Sequence, residues 1–274
     1  MKLSLSVRIA ESSSRKDRAE MPLGDLAPLA RRAGFDGLSM RASALSVDTP
    51  AVEVLAARAL LDREGLRVSM VMGNIALAAN TADATAVLSN IGPHLDLAER
   101  LGADLVRVMV QQAADVPAAQ RAADEAAERG IRLAQQTHWG TMAETIEEAL
   151  ELVERVGRTN FGITFEPANL LACGDDCGPS AIRRLGRHIF NFYFQNVQLD
   201  PTGAHRFPTR RRGVVPIRYV PLDDPDGFQI VPLIEALADI GYESWISVHQ
   251  PLLEGQRVAE AVAEAARVFR PLIR

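Results

Sequence analysis

The sequence predicts a single (β/α)₈ barrel over residues 1–274, and three observations lead there. Eight strand-length apolar stretches alternate with helical ones along the 274 residues. The repeat is roughly 30–35 residues, as expected when such a barrel fills roughly 250 residues. No G-x-G-x-x-G follows the first strand, which disfavours the open dinucleotide-binding sheet with the same alternation. No shift in composition marks a linker, so one domain is expected.

The elements follow in order. Lys2–Ala10 alternates as a strand, and Leu23–Ala33 has helical spacing closed by Gly34. A strand at Leu38–Met40 precedes a helix opened by Thr49 as N-cap and Pro50 at its first position, running to Glu64. Leu66–Met72 is a strand, Ala82–Leu101 one helix, Leu105–Val110 a strand and Val116–Arg129 an alanine-rich helix. The stretch Ile131–Gly140 is a short fifth strand from Ile131 that runs into the polar cluster Gln135, Gln136, His138 and Trp139, and a helix over Thr141–Val156 follows. Strands at Phe161–Phe165, Ile189–Val197 and Ser244–Val248 alternate with helices at Ser180–Leu185, Gly227–Ile240 and Arg257–Phe269.

Composition narrows the functional class. Hydrophobic residues make up 47% and charged residues 24%, enough to build a sizeable core. A net charge of -5 gives no reason to expect nucleic acid or an acidic membrane surface. No apolar run is long enough to span a bilayer, and the N-terminus lacks a secretory h-region. The two cysteines, Cys173 and Cys177, share one short loop and form no disulfide framework, so a cytoplasmic location is expected.

In a barrel of this kind the ligand site lies at the C-terminal ends of the strands. Bulky hydrogen-bonding residues gather there: Arg41, Asn74, Arg107, Gln136 with His138 and Trp139, Glu166, Gln195 with Asn196, and His249. Any one of them is explained by solvated loops. The set is not, because the opposite strand ends carry no matching cluster. An arginine buried at Arg107 would require an anion or an acidic partner, and Trp139 suits either a sugar face or plain packing.

The segments GIRLAQQTH, NFGITFEPANLL, NFYFQNVQLDPTG and VPLDDPDG, with LIEALADIGYESWISVHQP after them, resemble the xylose-isomerase-like barrels, the sugar isomerase, epimerase and endonuclease IV superfamily. The resemblance implies a divalent metal held by strand-end carboxylates and a histidine, with two glutamates as acid and base. This chain departs from that pattern. The fifth-strand glutamate falls on Gln136, the sixth-strand aspartate on Glu166 and the histidine after it on Asn169. The seventh-strand histidine falls on Val197 and the eighth-strand glutamate on His249. Mg²⁺ and Mn²⁺ sites need several oxygen ligands, so no metal and no other cofactor is expected.

Glu166 and His249 are then the expected acid/base pair, moving a proton next to the carbonyl of a small polyhydroxylated or carboxylated substrate. Arg107, Gln136, His138, Trp139, Gln195, Asn196 and Arg218 are expected to bind that substrate. Isomerisation, epimerisation or elimination would all suit such a site. One alternative rebuilds the site around Mn, Fe or Zn on His138, Glu166 and His249. Another, of a different class, is a barrel that binds a ligand or partner without catalysis. Barrels of this family often pair, so a homodimer is the assembly to look for.

The long loop His205–Arg218 carries Arg206, Arg210, Arg211, Arg212 and Arg218. It reads either as a lid or anion binder for an anionic substrate, or as a solvated or subunit-contacting loop. Cys173–Cys177 and Asp223–Gly227 read as turns, and His94 and His188 as structural.

Overall fold

The computed structural model describes residues 1–11 and 16–273. Its centre is a closed parallel barrel made of β1 (Lys2–Ser6), β2 (Gly37–Arg41), β3 (Arg67–Met72), β4 (Leu105–Val108), β5 (Arg132–Gln136), β6 (Phe161–Phe165) and β7 (Ile189–Phe194). The eighth barrel strand is Trp245–Val248, numbered β11 because three short strands precede it. Closure comes from the pairing of β1 with β11, which puts Leu3 beside Ile246.

Helices α1 (Leu23–Ala33), α2 (Ala51–Glu64), α3 (Ile75–Ala79), α4 (Gly92–Leu101), α5 (Val116–Glu128), α6 (Ile146–Val156), α7 (Pro167–Cys173), α8 (Pro179–Leu185), α9 (Ile230–Asp239) and α10 (Val258–Phe269) link the strands. α6 shows why these segments fold as they do. Thr145 caps it by accepting from the Glu148 N–H at 3.1 Å, and Gly157 ends it at φ 60°. Its apolar face, Ile146, Ala149, Leu152, Val153 and Val156, is buried. Each large side chain so buried contributes about 1.5–3 kcal/mol. Among the described residues no helix is long and apolar enough to cross a membrane.

The eight strands stand where periodicity places them; the connections differ. The helix expected over Ala82–Leu101 is broken, with a 3₁₀ segment at Ala82–Ser89 and α4 beginning only at Gly92. Gly92-Pro93 interrupts the helical pattern, since proline tolerates only the first turn. Thr49 does not cap α2. The N-cap is Pro50, and the Thr49 hydroxyl instead accepts from the Ser46 N–H at 2.9 Å.

The expected loop over 205–218 is the larger departure. It forms an antiparallel hairpin, β9 (His205–Thr209) with β10 (Gly213–Tyr219), joined by β8 (Val197–Leu199) in a three-stranded sheet. Val197, which occupies the histidine position of the family pattern, packs with Ala168, Phe207 and Ile217 and anchors this sheet to the barrel top.

Asn196 belongs to the same architecture and not to the ligand site. Its amide donates to Pro221 O at 2.8 Å and Leu222 O at 3.3 Å, and its Oδ1 accepts from the Phe228 N–H at 2.8 Å. A β-carbon at Gly227 would lie 2.3 Å from that Oδ1, so glycine is needed there. Asn196 therefore clamps the return from the hairpin to α9, and the expectation that it binds substrate is corrected. Asn196→Ala leaves the Leu222 O and the Phe228 N–H without this partner, at about 1–3 kcal/mol each. Its melting temperature should fall by at least about 4 °C, at about 2–4 °C per kcal/mol. Unchanged melting with lost ligand binding would contradict the clamp.

Candidate active site

The strand ends converge on a cavity of about 40 Å³ at the barrel mouth, lined among others by Gln136, His138, Trp139, Glu166, Gln195 and His249. Gln136 is the last residue of β5, while Glu166, Gln195 and His249 each follow a barrel strand directly. Past Trp139, Phe207 and Tyr219 lies an outer chamber of about 170 Å³ that shares those three walls.

Glu166 is fully buried and forms the centre of the cavity. Its two carboxyl oxygens accept from the side-chain amides of Gln136 and Gln195. Its backbone N–H donates to the Thr137 hydroxyl at 2.8 Å. Burial pushes its carboxyl up to about 8, although nearby Arg8, Arg107, Arg41 and Lys16 pull the other way. At neutral pH the group is mostly protonated.

His249 stacks on Tyr193 with ring centroids 4.2 Å apart and 9° between planes. Its Nδ1 lies 2.9 Å from the Ser6 hydroxyl oxygen, which also accepts the Arg8 N–H at 3.3 Å. Burial first, then the charges of Arg41 and Arg8, hold its pKa well below the usual histidine value. Burial and the Arg107 charge do the same to His138, whose Nδ1 sits 2.8 Å from Trp139 O. Both imidazoles are neutral at pH 7.

Arg107 reaches the cavity, as expected from its strand. Arg218 does not: it projects from β10, bonds Gln198 Oε1 at 2.7 Å and pairs with Asp200 at 3.3 Å. Of the other hairpin arginines, Arg206 lines the outer chamber, while two are turned to the outer helices. Arg210 pairs with Glu148 at 2.9 Å, and Arg212 donates to Leu171 O and Ala172 O at 3.4 Å. The hairpin does cover the mouth, but with the side chains of Phe207 and Tyr219. Gln136 and Gln195 sit in the cavity and each gives an amide N–H to Glu166, which positions the carboxyl.

Several lining residues were missed. Arg8 lies just past β1, where the strand-exit rule would have found it, as it found Arg41 at the end of β2. Lys16 follows the residues left undescribed, with no sequence signal of its own; burial and the charges of Arg8 and Arg41 lower its pKa to about 7. Tyr219 was hidden because its strand was read as loop.

The donor set does not fit the family's divalent metal. Among the described residues no three His, Cys, Asp or Glu side chains gather as a metal-holding group, which removes the proposed His138, Glu166 and His249 triad. The physical reason is charge. Arg8, Lys16, Arg41 and Arg107 line the cavity, and the Glu166 oxygens already accept amide protons.

A family model described as xylose isomerase-like TIM barrel matches residues 27–272, and the chain belongs to that family. No curated protein matches the sequence. Among solved structures, a probable 3-DHS dehydratase from Bacillus anthracis is similar at 17% identity and TM-score 0.71, covering 98% of this chain and 99% of its own. A xylose isomerase-like protein from Mycobacterium smegmatis in complex with magnesium is similar at 16% identity and TM-score 0.70, with 100% and 98% covered. D-psicose 3-epimerase gives 14% identity and TM-score 0.68, with 100% and 99% covered. At these identities the likeness is one of fold.

The Glu166 carboxyl also makes stability depend on pH. Its pKa is raised in the folded state, so its contribution is fully present below about 4.5 and lost as pH rises through about 8. Glu166→Gln removes that titration. The stability of the variant relative to the parent should therefore grow between pH 5 and pH 8, by on the order of 2–4 kcal/mol. Denaturant unfolding at the two pH values measures it, and a pH-independent difference would contradict a raised pKa.

Proposed function

We propose that this barrel moves a proton next to the carbonyl of a small polyhydroxylated or carboxylated compound, with His249 as base, Glu166 as acid and no divalent metal. The observation that carries the reading is a protonated carboxyl and a neutral imidazole facing one cavity, each in the form its role requires. Two fold neighbours are named a dehydratase and a 3-epimerase, which agrees with this class.

The steps follow from the hydrogen bonds. With the His249 proton on Nδ1, donated to Ser6, Nε2 is left to take the proton from the carbon beside the carbonyl. The C–H electron pair becomes the new C=C bond, and the carbonyl oxygen takes the proton of Glu166. Return of the proton from His249 to either carbon gives the isomer or epimer; its transfer instead to a neighbouring hydroxyl, which leaves as water while Glu166 takes back the enol proton, gives elimination. The cationic lining of the cavity stabilises the negative charge that develops, in place of a metal. Buried Gln195 Oε1 and Asn169 Oδ1 have no hydrogen-bond partner among the described residues and can accept from substrate hydroxyls.

Incubation in D₂O with a panel of hydroxy-ketones, hydroxy-aldehydes and their carboxylated forms tests this by proton NMR. The expected result is loss of the signal beside the carbonyl. His249→Ala and Glu166→Gln should each slow it by about 10²–10⁴-fold. The rate should fall as pH rises through about 8, where Glu166 loses its proton, and again on the acid side well below 6.5, where His249 gains one. No exchange by the parent on any member would favour a non-catalytic binding barrel. About one Mn, Fe or Zn per chain in elemental analysis would contradict the metal-free mechanism.

A further inference from the structure

The basic side chains of the cavity exceed what the acid/base chemistry needs, and their own partners leave that charge uncompensated. Glu11 is committed to Arg41: Oε1 accepts from Nε at 2.5 Å and Oε2 from Nη2 at 3.2 Å, with both side chains buried. Arg107 is fully buried, yet its guanidinium donates to neutral groups, Leu77 O at 2.5 Å and Asn80 Oδ1 at 2.5 Å. Its Nε is buried with no hydrogen-bond partner among the described residues. Arg8 repeats the pattern. Nη2 donates to the Tyr219 hydroxyl at 3.3 Å, and the buried Nε has no partner among the described residues. Lys16 lines the same cavity and the outer chamber.

A buried guanidinium with no anion is costly. Arg107 is such a group, and with half-buried Arg8 it keeps a buried N–H unused among the described residues beside one cavity, which points to a missing acceptor. Glu166 does not supply it, being mostly protonated at neutral pH and already bonded to Gln136 and Gln195.

We propose that Arg107, Arg8 and Lys16 form a seat for a carboxylate of the substrate, so that the natural substrate is a carboxylated carbonyl compound and not a neutral sugar. This narrows the substrate class of the reaction proposed above and rests on that reading for its catalytic meaning. Size favours carboxylate over phosphate. The inner cavity of about 40 Å³ takes a flat carboxylate and the reacting carbons beside it more readily than a tetrahedral phosphate, and keeps them beside Glu166 and His249. Atoms further along the substrate would extend past Trp139 and Tyr219 into the outer chamber.

The test is binding without turnover. Pyruvate, hydroxyacetone as its uncharged counterpart, and inorganic phosphate are titrated against the full chain by calorimetry at pH 7. Pyruvate should bind, and hydroxyacetone at least tenfold more weakly. Arg107→Gln should weaken pyruvate at least tenfold, with circular dichroism to confirm folding. Lys16→Gln, at the mouth, should weaken it severalfold and covers the case in which the Arg107 variant does not fold. Glu166→Gln should keep pyruvate binding, which separates this proposal from the acid/base reading. Equal binding of hydroxyacetone, tighter binding of phosphate, no binding of pyruvate, or pyruvate affinity unchanged in the folded variants would each overturn it.

Discussion

The burial of one carboxyl group, Glu166, sets the character of the barrel mouth. A charged carboxylate among four basic side chains would pair with one of them and leave a conventional ion-pair site. Glu166 instead follows β6 directly, fully buried, and its oxygens face the amides of Gln136 and Gln195. Desolvation outweighs the attraction of the cations and keeps the proton on. That proton is at once the acid the proposed chemistry needs and the reason the surrounding positive charge stays available.

The same choice explains the substitutions at the family's ligand positions. A divalent ion needs anionic oxygens arranged around it. Here amides stand at the ends of β5 and β7, an imidazole follows β11, and Val197 has been drawn into the apolar underside of a hairpin. The hairpin closes the mouth with Phe207 and Tyr219, while its arginines tie it to the barrel's outer helices and to β8. Cover and charge thus come from different parts of the chain: cover from β9 and β10, charge from β2, β4 and the segment after β1.

The barrel itself was legible because alternation of strands and helices is a property of local sequence. Gln136, Glu166, Gln195 and His249 were found by one rule, that polar residues leaving a barrel strand face the ligand. The rule failed at Asn196, which also leaves β7 but turns to the backbone of 221–228, because adjacent residues on an extended chain point to opposite sides. It also fixed location without partners. Nothing local says that the Gln136 and Gln195 amides bond Glu166 and not a substrate. Lys16 and Tyr219 were out of reach for a different reason: their place at the mouth depends on how long connections fold back over it. Arg218 looked functional by proximity in sequence to the mouth, yet its strand turns it to Asp200.

The claim on which the account depends is that Glu166 holds its proton at neutral pH. Infrared difference titration of the parent against Glu166→Gln observes that carboxyl directly. The account predicts a protonated-carboxyl band, absent from the variant, that disappears with a midpoint near 8. A band already lost at pH 6, with a midpoint close to that of an ordinary glutamate, would contradict it.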